Sequence, residues 1–312
     1  MSLRVQFIFL LPFRMAVPDE LAVEPIEISY HQGINVERMR ILVPKPEENR
    51  PVSRWQSTLA SGGDTERLVV ELDMTDTGER PFEQANRNES AATEAAVRFL
   101  RYCRVRTGQY QIDLRQEVGD YFIHVVNEDG VSVPLGGAVV DNSYSGVPPR
   151  LDKCSWEQVR NDVLWDTPVP LEVELVLDAQ LYLKRRDFRM AALSAAIAVE
   201  AIVTSYIRLF LQDRLVGTGR ANASQVDRFV NEMSNRGLST IGLGLGLECA
   251  DKANLENCKK ALELRNSILH GPQRHVDARH AGRAVDAATW LLSLDEIESA
   301  LFAPESWRHL GQ

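Results

Sequence analysis

Hydrophobic positions recur with two different periods along this 312-residue chain. Up to about residue 165, short β-branched and aromatic runs alternate with Pro, Gly and polar clusters, which predicts the strands RVQFIFLL, PIEISY, RMRILV and RLVVELDM. The segment YFIHVVNEDGVSVPL predicts a hairpin that turns between Asn127 and Gly130. One helix is expected in this half, from about Ser90 to Val105. The first half is therefore predicted to be a β-rich mixed domain.

Beyond a connection rich in Pro and polar residues, between about 150 and 170, the apolar positions recur at helical spacing. Five helices are predicted: about Leu171 to Lys184, Phe188 to Gln212, a third that follows the N-cap Asn222, Leu255 to Leu269, and Val276 to Leu301. We therefore expect an α+β protein of two domains. Residues 1–165 would form the β-rich domain and residues 166–312 an all-α bundle.

Two apolar stretches resemble membrane or signal segments, and both are interpreted as parts of a folded core. The run from Phe7 to Phe13 is short and lacks a cleavage site, so it is predicted to be a strand. The run from Met190 to Ile207 carries Glu200 in its middle and is rich in alanine, which favours a core helix. We expect no membrane association.

Composition and cysteine spacing narrow the classes of function. A net charge of -9 argues against a broadly basic nucleic-acid binder, so that any such contact would be local. The four cysteines are far apart and show no CxxC pair, which indicates a reducing, cytoplasmic location and no cysteine metal site. No cofactor or metal is expected. No Ser, Cys or Asp lies at a sequence spacing that would indicate a functional partner for His31 or His124. Neither histidine is therefore assigned to a site.

Two of the predicted helices each carry one charge on an apolar stripe. Steps of three and four residues give Leu255, Cys258, Leu262, Arg265 and Leu269 in one helix, and Leu193, Ile197, Glu200, Thr204 and Ile207 in the other. A buried ion costs several kcal/mol unless it is paired. We therefore expect Glu200 and Arg265 to meet inside the bundle. A structural salt bridge without catalytic meaning would produce the same pattern.

The residues that follow Arg265 favour a catalytic interpretation. Asn266 and His270 are four apart and share a helix face, while Gly271 and Pro272 leave His270 at the helix C-terminus, where carbonyl groups favour the imidazolium. Arg265 and His270 lie about 140° apart around a helix, so that a second copy would be needed to gather two of each in one cleft. Such a cleft suits metal-independent RNA cleavage by acid-base and electrostatic catalysis.

Basic residues cluster around the same motif. From residue 259 to residue 283 there are six Lys or Arg against two acidic residues, and three of the six histidines fall here. This local basic patch is suited to binding a phosphate backbone. Basic side chains that are simply solvated at the start of a helix would give the same sequence pattern. The candidate RNA-binding residues are Lys259, Arg274, His275 and Arg279.

The segment LRNSILHG resembles the RNxxxH signature of HEPN domains, small helical bundles that include many metal-independent ribonucleases. The stretch DFRMAALSAAIAVEAIV is similar to the Ala-rich, Glu-bearing second helix of that family, and the resemblance covers roughly residues 170–303. It implies that Arg265 and His270 are catalytic, that Asn266 orients them and that Glu200 is a supporting acid. It also implies a dimer and products that end in 2′,3′-cyclic phosphate. Many HEPN domains are inactive and serve in binding or dimerisation.

Three hypotheses for function follow. The first is a cytoplasmic HEPN-type endoribonuclease that acts on RNA as a homodimer, with a toxin or anti-phage role by family analogy alone. The second is an inactive module for dimerisation or nucleic-acid binding, and the third a nucleotide-ligand sensor that uses the basic patch. For residues 1–165, RNA selection, response to a trigger or regulator, and restraint of the bundle all stay open.

Overall fold

The computed structural model describes residues 2–16, 25–28, 33–43, 64–108, 110, 112, 121–127, 130–138, 153–234, 252–270, 275–294 and 297. The chain divides into two units between Thr167 and Pro168, two residues beyond the predicted boundary. The first unit combines a sheet with helices, and the second is helical throughout its described residues. The α+β class is therefore confirmed.

The first unit contains a six-stranded antiparallel sheet. Its strands are β1 (Ser2–Ala16), β2 (Ile26–Ile28), β3 (Val36–Leu42), β4 (Asp64–Thr75), β5 (Tyr121–Val126) and β6 (Ser132–Ala138). The strand order is β2-β3-β4-β1-β5-β6. All four predicted strands and the hairpin are present. In the hairpin turn, the carbonyl of Asn127 accepts from the Gly130 N–H at 3.0 Å, and its side chain accepts from the Val131 N–H at 2.7 Å.

One face of this sheet forms the core of the first unit. Phe7, Val70 and Ile41 lie side by side on three neighbouring strands and are at most 1% exposed. Side chains alternate between the two faces of a strand, so the polar positions between them fall on the opposite face. There Arg40, Glu71 and Gln6 form a row joined by hydrogen bonds and an ion pair.

Three helices accompany the sheet: α1 (Pro81–Arg87), α2 (Glu89–Thr107) and α3 (Lys153–Trp165). Helix α2 agrees with the prediction and packs against β1 and β4. Helix α3 lies within the segment interpreted as a connection, and that interpretation was wrong. Trp156, Val159 and Val163 recur at helical spacing and are at most 4% exposed, and the Trp156 ring contacts Phe99 of α2.

The junction between α1 and α2 is tied to the sheet by Asn88, which is 2% exposed. Its Oδ1 accepts from the Ile34 N–H at 2.6 Å, and its Nδ2 donates to the Ile34 carbonyl at 3.2 Å and the Gln84 carbonyl at 3.0 Å. One buried amide thus satisfies both backbone groups of Ile34 just before β3 begins. This leaves little freedom in how the helices meet the sheet.

The second unit contains five helices among its described residues. They are α4 (Leu171–Lys184), α5 (Phe188–Leu211), α6 (Ala223–Ser234), α7 (Lys252–His270) and α8 (Ala278–Leu292), and a π-helical turn (Gln212–Val216) follows α5. The first four agree closely with the predicted positions. Helix α6 begins with the predicted cap, because Asn222 Oδ1 accepts from the Gln225 N–H at 2.9 Å. The predicted last helix started at Val276 and ended at Leu301. The helix observed begins after the cap Asp277 and ends at Leu292, with Ser293 as its C-cap, so the predicted helix was too long.

Helix α5 is the centre of this unit and packs against α4, α7 and α8. Its buried face is built mainly from alanine: Ala191, Ala192, Ala195, Ala196 and Ala198 are all 0% exposed. Small side chains let the neighbouring helices approach closely. The span Phe188–Val216 is long and apolar enough to cross a membrane, and half of its most apolar window is buried inside the protein.

Replacing Asn88 with Ala removes the amide that pairs with Ile34. We expect a loss of about 2 kcal/mol of stability, because backbone groups that the amide satisfied lose their partner. The melting temperature should fall by about 4 to 8 °C in a thermal unfolding measurement. Asn86→Ala is the matched control, since Asn86 is exposed on the same helix. An equal fall in both variants would show that the buried amide has no special role.

Candidate catalytic site on helices α5 and α7

Glu200 of α5 and Arg265 of α7 meet, as the sequence predicts: Arg265 Nη1 lies 2.9 Å from Glu200 Oε2. The pair is less buried than expected, with the two side chains 29% and 30% exposed. The apolar stripes predicted on α5 and α7 also reach the surface, since Ile197 is 39% and Leu269 50% exposed. The alanine face of α5 forms the core, so that these stripes lie at its rim.

The ion pair holds Arg265 without using all of its hydrogen-bond donors. A guanidinium has five N–H donors in one plane, and the contact with Glu200 engages Nη1. Arg265 Nε is buried and makes no hydrogen bond within the described part of the chain. The pair therefore fixes the direction of a side chain that is still 30% exposed. Such an arginine is able to receive a phosphate without releasing the carboxylate.

Asn266 and His270 are both exposed in the last two turns of α7, which ends at His270. Neither side chain makes a hydrogen bond or ion pair with another residue that the structure describes, so the expected contact between them is not seen. Gly271 and Pro272, which were predicted to end the helix, lie outside the described residues. The structure thus leaves the amide and the imidazole accessible at the helix end. It does not bring His270 to Arg265 within one chain.

Contacts between helices set their directions in the second unit. Helices α4 and α5 are antiparallel because a three-residue turn joins them. Helix α8 runs parallel to α4, since Gln180 and Thr289 are near the C-terminal ends of both, and antiparallel to α7. The contacts are Ser205–Glu172, Gln180–Thr289, Cys258–Ala287 and Glu200–Arg265. The ends of α5 and α7 and the starts of α4 and α8 therefore lie together, at what we call the His270 end.

The candidate RNA-binding residues are only partly gathered at this end. His275 and Arg279 are exposed beside the start of α8, whereas Arg274 lies outside the described residues. Lys259 is eleven residues before His270 on α7, about 16 Å away along the helix, and so belongs to a different level of the bundle. Lys259 is therefore not part of the cluster that was predicted.

Two further basic side chains at the His270 end were not assigned from the sequence. Arg208, in the last turn of α5, lies 3.3 Å from Asp227 of α6. His280 is held by the cap of α8, since its backbone N–H and its Nδ1 each lie 2.8 Å from Asp277 Oδ1. The hydrogen bond from that N–H, followed by the imidazole, lowers the pKa of Asp277. Placing either residue at this end requires the direction of its helix relative to α7.

The structure also corrects the assessment of His124. Its Nδ1 lies 2.8 Å from Ser132 Oγ across the β5–β6 hairpin, so that a serine partner does exist. Burial, and secondarily the charge of Arg67, lowers the pKa of the imidazole. Ser132 Oγ donates in turn to Gln6 Oε1 at 3.4 Å. The pair extends the row of polar side chains formed by Gln6, Glu71 and Arg40 on the same face of the sheet. Strand register was the signal that would have found it.

No protein-family model matches the chain, and no curated protein or solved structure is significantly similar to it. The described residues contain no group of three or more His, Cys, Asp or Glu that could hold a metal ion. The resemblance to HEPN domains therefore stays a prediction. It depends on the residues of α5 and α7 and on the geometry given above.

A double-mutant cycle tests the strength of the Glu200–Arg265 pair. Arg265→Ala should cost about 1 to 2 kcal/mol, between the values for surface and buried pairs, because a half-buried carboxylate loses its partner. In the Arg265→Ala background, Glu200→Ala should cost much less than it does alone. Thermal unfolding of the four proteins measures this coupling.

The exposed pair Lys260–Glu256, 3.8 Å apart on α7, provides the matched control cycle. Its coupling should be close to zero, since both side chains are more than half exposed. Equal coupling in the two cycles would mean that Glu200 and Arg265 interact no more strongly than an ordinary surface pair.

Proposed function

We propose that the second unit is a HEPN-type, metal-independent endoribonuclease that acts as a homodimer. The observation that carries the proposal is the 2.9 Å pair between Glu200 and Arg265. It fixes an arginine five residues before an exposed histidine at the end of the same helix. A carboxylate that orients a guanidinium, beside an imidazole open to solvent, is a set of groups suited to phosphodiester cleavage.

In the proposed reaction the RNA supplies its own nucleophile. The 2′-oxygen attacks the adjacent phosphorus while one imidazole accepts the 2′-hydroxyl proton, and the bond from phosphorus to the 5′-oxygen breaks. A second imidazole, in its protonated form, donates a proton to the departing 5′-oxygen. Arg265 stabilises the negative charge that develops on the phosphorane oxygens. The products are a 2′,3′-cyclic phosphate and a 5′-hydroxyl, with no metal or cofactor in any step.

Two observations support a second copy as the source of the other imidazole. Arg265 and His270 point about 140° apart around α7, so one chain does not close a cleft around a phosphate. Apolar side chains lie on each side of the ion pair, with Ile197 one turn before Glu200 and Leu269 one turn after Arg265, and both are exposed. Large apolar side chains that are exposed beside one another fit a surface that another protein covers.

The wider role follows from family analogy alone. A cytoplasmic ribonuclease that acts as a toxin or in defence against phage would need restraint until a trigger arrives. The first unit is proposed to supply that control or to select the RNA. Asn266 would orient the catalytic groups, and His275 and Arg279 would bind the RNA near His270.

A second candidate function is an inactive HEPN-like module for dimerisation or nucleic-acid binding. The exposed Ile197 and Leu269 favour this alternative as much as they favour the enzyme, because an interface does not require chemistry. The Glu200–Arg265 pair would then serve stability alone. The two functions differ in what happens to RNA that the protein binds.

RNA cleavage in the presence of EDTA separates the two. Full-length wild-type protein is incubated with tRNA and mRNA, and the fragment ends are identified by their reactivity. We expect cleavage with cyclic phosphate ends, and a loss of at least about 100-fold in rate in both His270→Ala and Arg265→Ala, the usual contribution of acid-base and electrostatic groups.

Arg228→Ala is the control, because Arg228 is 82% exposed on α6 and forms a surface ion pair with Glu232 of the same helix. It should cleave at the wild-type rate. Intact RNA that is nevertheless bound by the wild type would support the inactive module. Cleavage that survives in His270→Ala would remove the proposed catalytic role of this residue.

A further inference from the structure

Four basic side chains fall within six residues at the turn between α4 and α5. We call Lys184, Arg185, Arg186 and Arg189 the basic turn, and all four are exposed. The turn lies at the end of the bundle opposite His270, because α5 starts here and ends at the His270 end. Lys184 and Arg185 have partners in the protein and are the last residue and the C-cap of α4, where positive charge is favourable. They therefore have a structural reason to be basic.

The backbone conformation at Arg186 favours glycine over arginine. Its φ is 63°, in the left-handed region. Its N–H donates to the Leu183 carbonyl at 3.1 Å, and the Asp187 N–H donates to the Tyr182 carbonyl at 3.0 Å. This is the Schellman arrangement that ends many helices, and glycine is favoured at the left-handed residue because a Cβ is strained there. The chain has an arginine where a glycine would be more stable.

Arg189 is also placed against local stability. It lies in the first turn of α5, where the N–H ends of the helix create a positive potential that disfavours a cation. The Asp187 carboxylate offsets part of this, since it accepts from the Met190 N–H at 3.1 Å. The left-handed backbone at Arg186 and the dipole of α5 at Arg189 therefore each work against the residue found there. A bound anion would explain both departures.

We propose that the basic turn binds the phosphate backbone of the RNA substrate, at a distance from the cleavage site. This inference rests on the ribonuclease function proposed above. Twelve residues of α5 separate Phe188 from Glu200, and five of α7 separate Arg265 from His270, which gives about 25 Å between the two ends. At about 3.4 Å per nucleotide, an RNA must extend over roughly seven nucleotides to reach both. The substrate is therefore a long or folded RNA.

The test uses the full chain with Arg186→Gly/Arg189→Gln, and binding is measured in a His270→Ala background so that the RNA stays intact. For a stem-loop of about 20 nucleotides, the Kd should rise several-fold and the log–log salt dependence should be less steep by about 1.8, the value for two lost phosphate contacts. A single strand of about five nucleotides should bind as before. In the cleaving protein, KM for the stem-loop should rise while kcat stays unchanged.

Two controls separate binding from folding and from net charge. Arg186→Gly alone should melt at the wild-type temperature or above it, since glycine suits a φ of 63°. A lower melting temperature would make Arg186 structural and overturn the argument. Arg220→Gln/Arg228→Gln removes two exposed charges beside and within α6 and should leave stem-loop binding unchanged. An equal loss of stem-loop binding in this variant would show that the effect comes from net charge and not from the basic turn.

The outcomes also distinguish this inference from the ribonuclease proposal. If the wild type cuts no RNA but stem-loop binding depends on Arg186 and Arg189, the RNA-binding role of the basic turn is supported and the ribonuclease proposal is contradicted. If RNA is cut and the variants bind both RNAs as before, the RNA-binding role of the basic turn is contradicted and the ribonuclease proposal is not. Loss of binding to phosphatidylserine vesicles, with RNA binding unchanged, would make the turn a membrane contact and overturn the inference.

Discussion

The ion pair between Glu200 and Arg265 is the constraint on which the second unit depends. It joins the central helix α5 to α7 five residues before α7 ends, while the hydrogen bonds between helices set their relative direction. That direction decides which residues meet at the end of the bundle where α7 stops. Because the pair is half-buried, it is strong enough to hold a guanidinium in place and open enough to let a ligand reach it. A fully buried pair would have fixed the helices but excluded any substrate.

The pattern of apolar residues predicted most of the fold because the periods of the two halves are so different. Strands β1, β3 and β4 contain short runs rich in β-branched and aromatic residues, and α4 and α5 carry long helical stripes, so each element follows from local residues. Helix α3 was not predicted because the prolines on each side of it indicated a connection. The spacing of Trp156, Val159 and Val163 is nevertheless helical. Helix α1 has only seven residues and begins with a proline, which gives too short a stripe to detect.

The candidate site was predictable where it depends on one helix or on charge balance. The meeting of Glu200 and Arg265 followed from the cost of burying an unpaired ion, even though the degree of burial was overestimated. Contacts that depend on how helices or strands are arranged in space were beyond the sequence. The position of Lys259 away from His270, the presence of Arg208 at the same end of the bundle as His270, and the contact between His124 and Ser132 are of this kind. Each requires the direction or register of a second element.

The central claim is that two copies bring their α7 helix ends together around a phosphate. The most direct test is a spin-label distance between Leu269→Cys residues of two copies in solution, with the exposed Cys154 replaced by serine. The account requires a dimer whose labels lie within about 20 Å, the width of two packed helices. A solitary protomer, or labels separated by more than about 36 Å, the full length of α5, would contradict it.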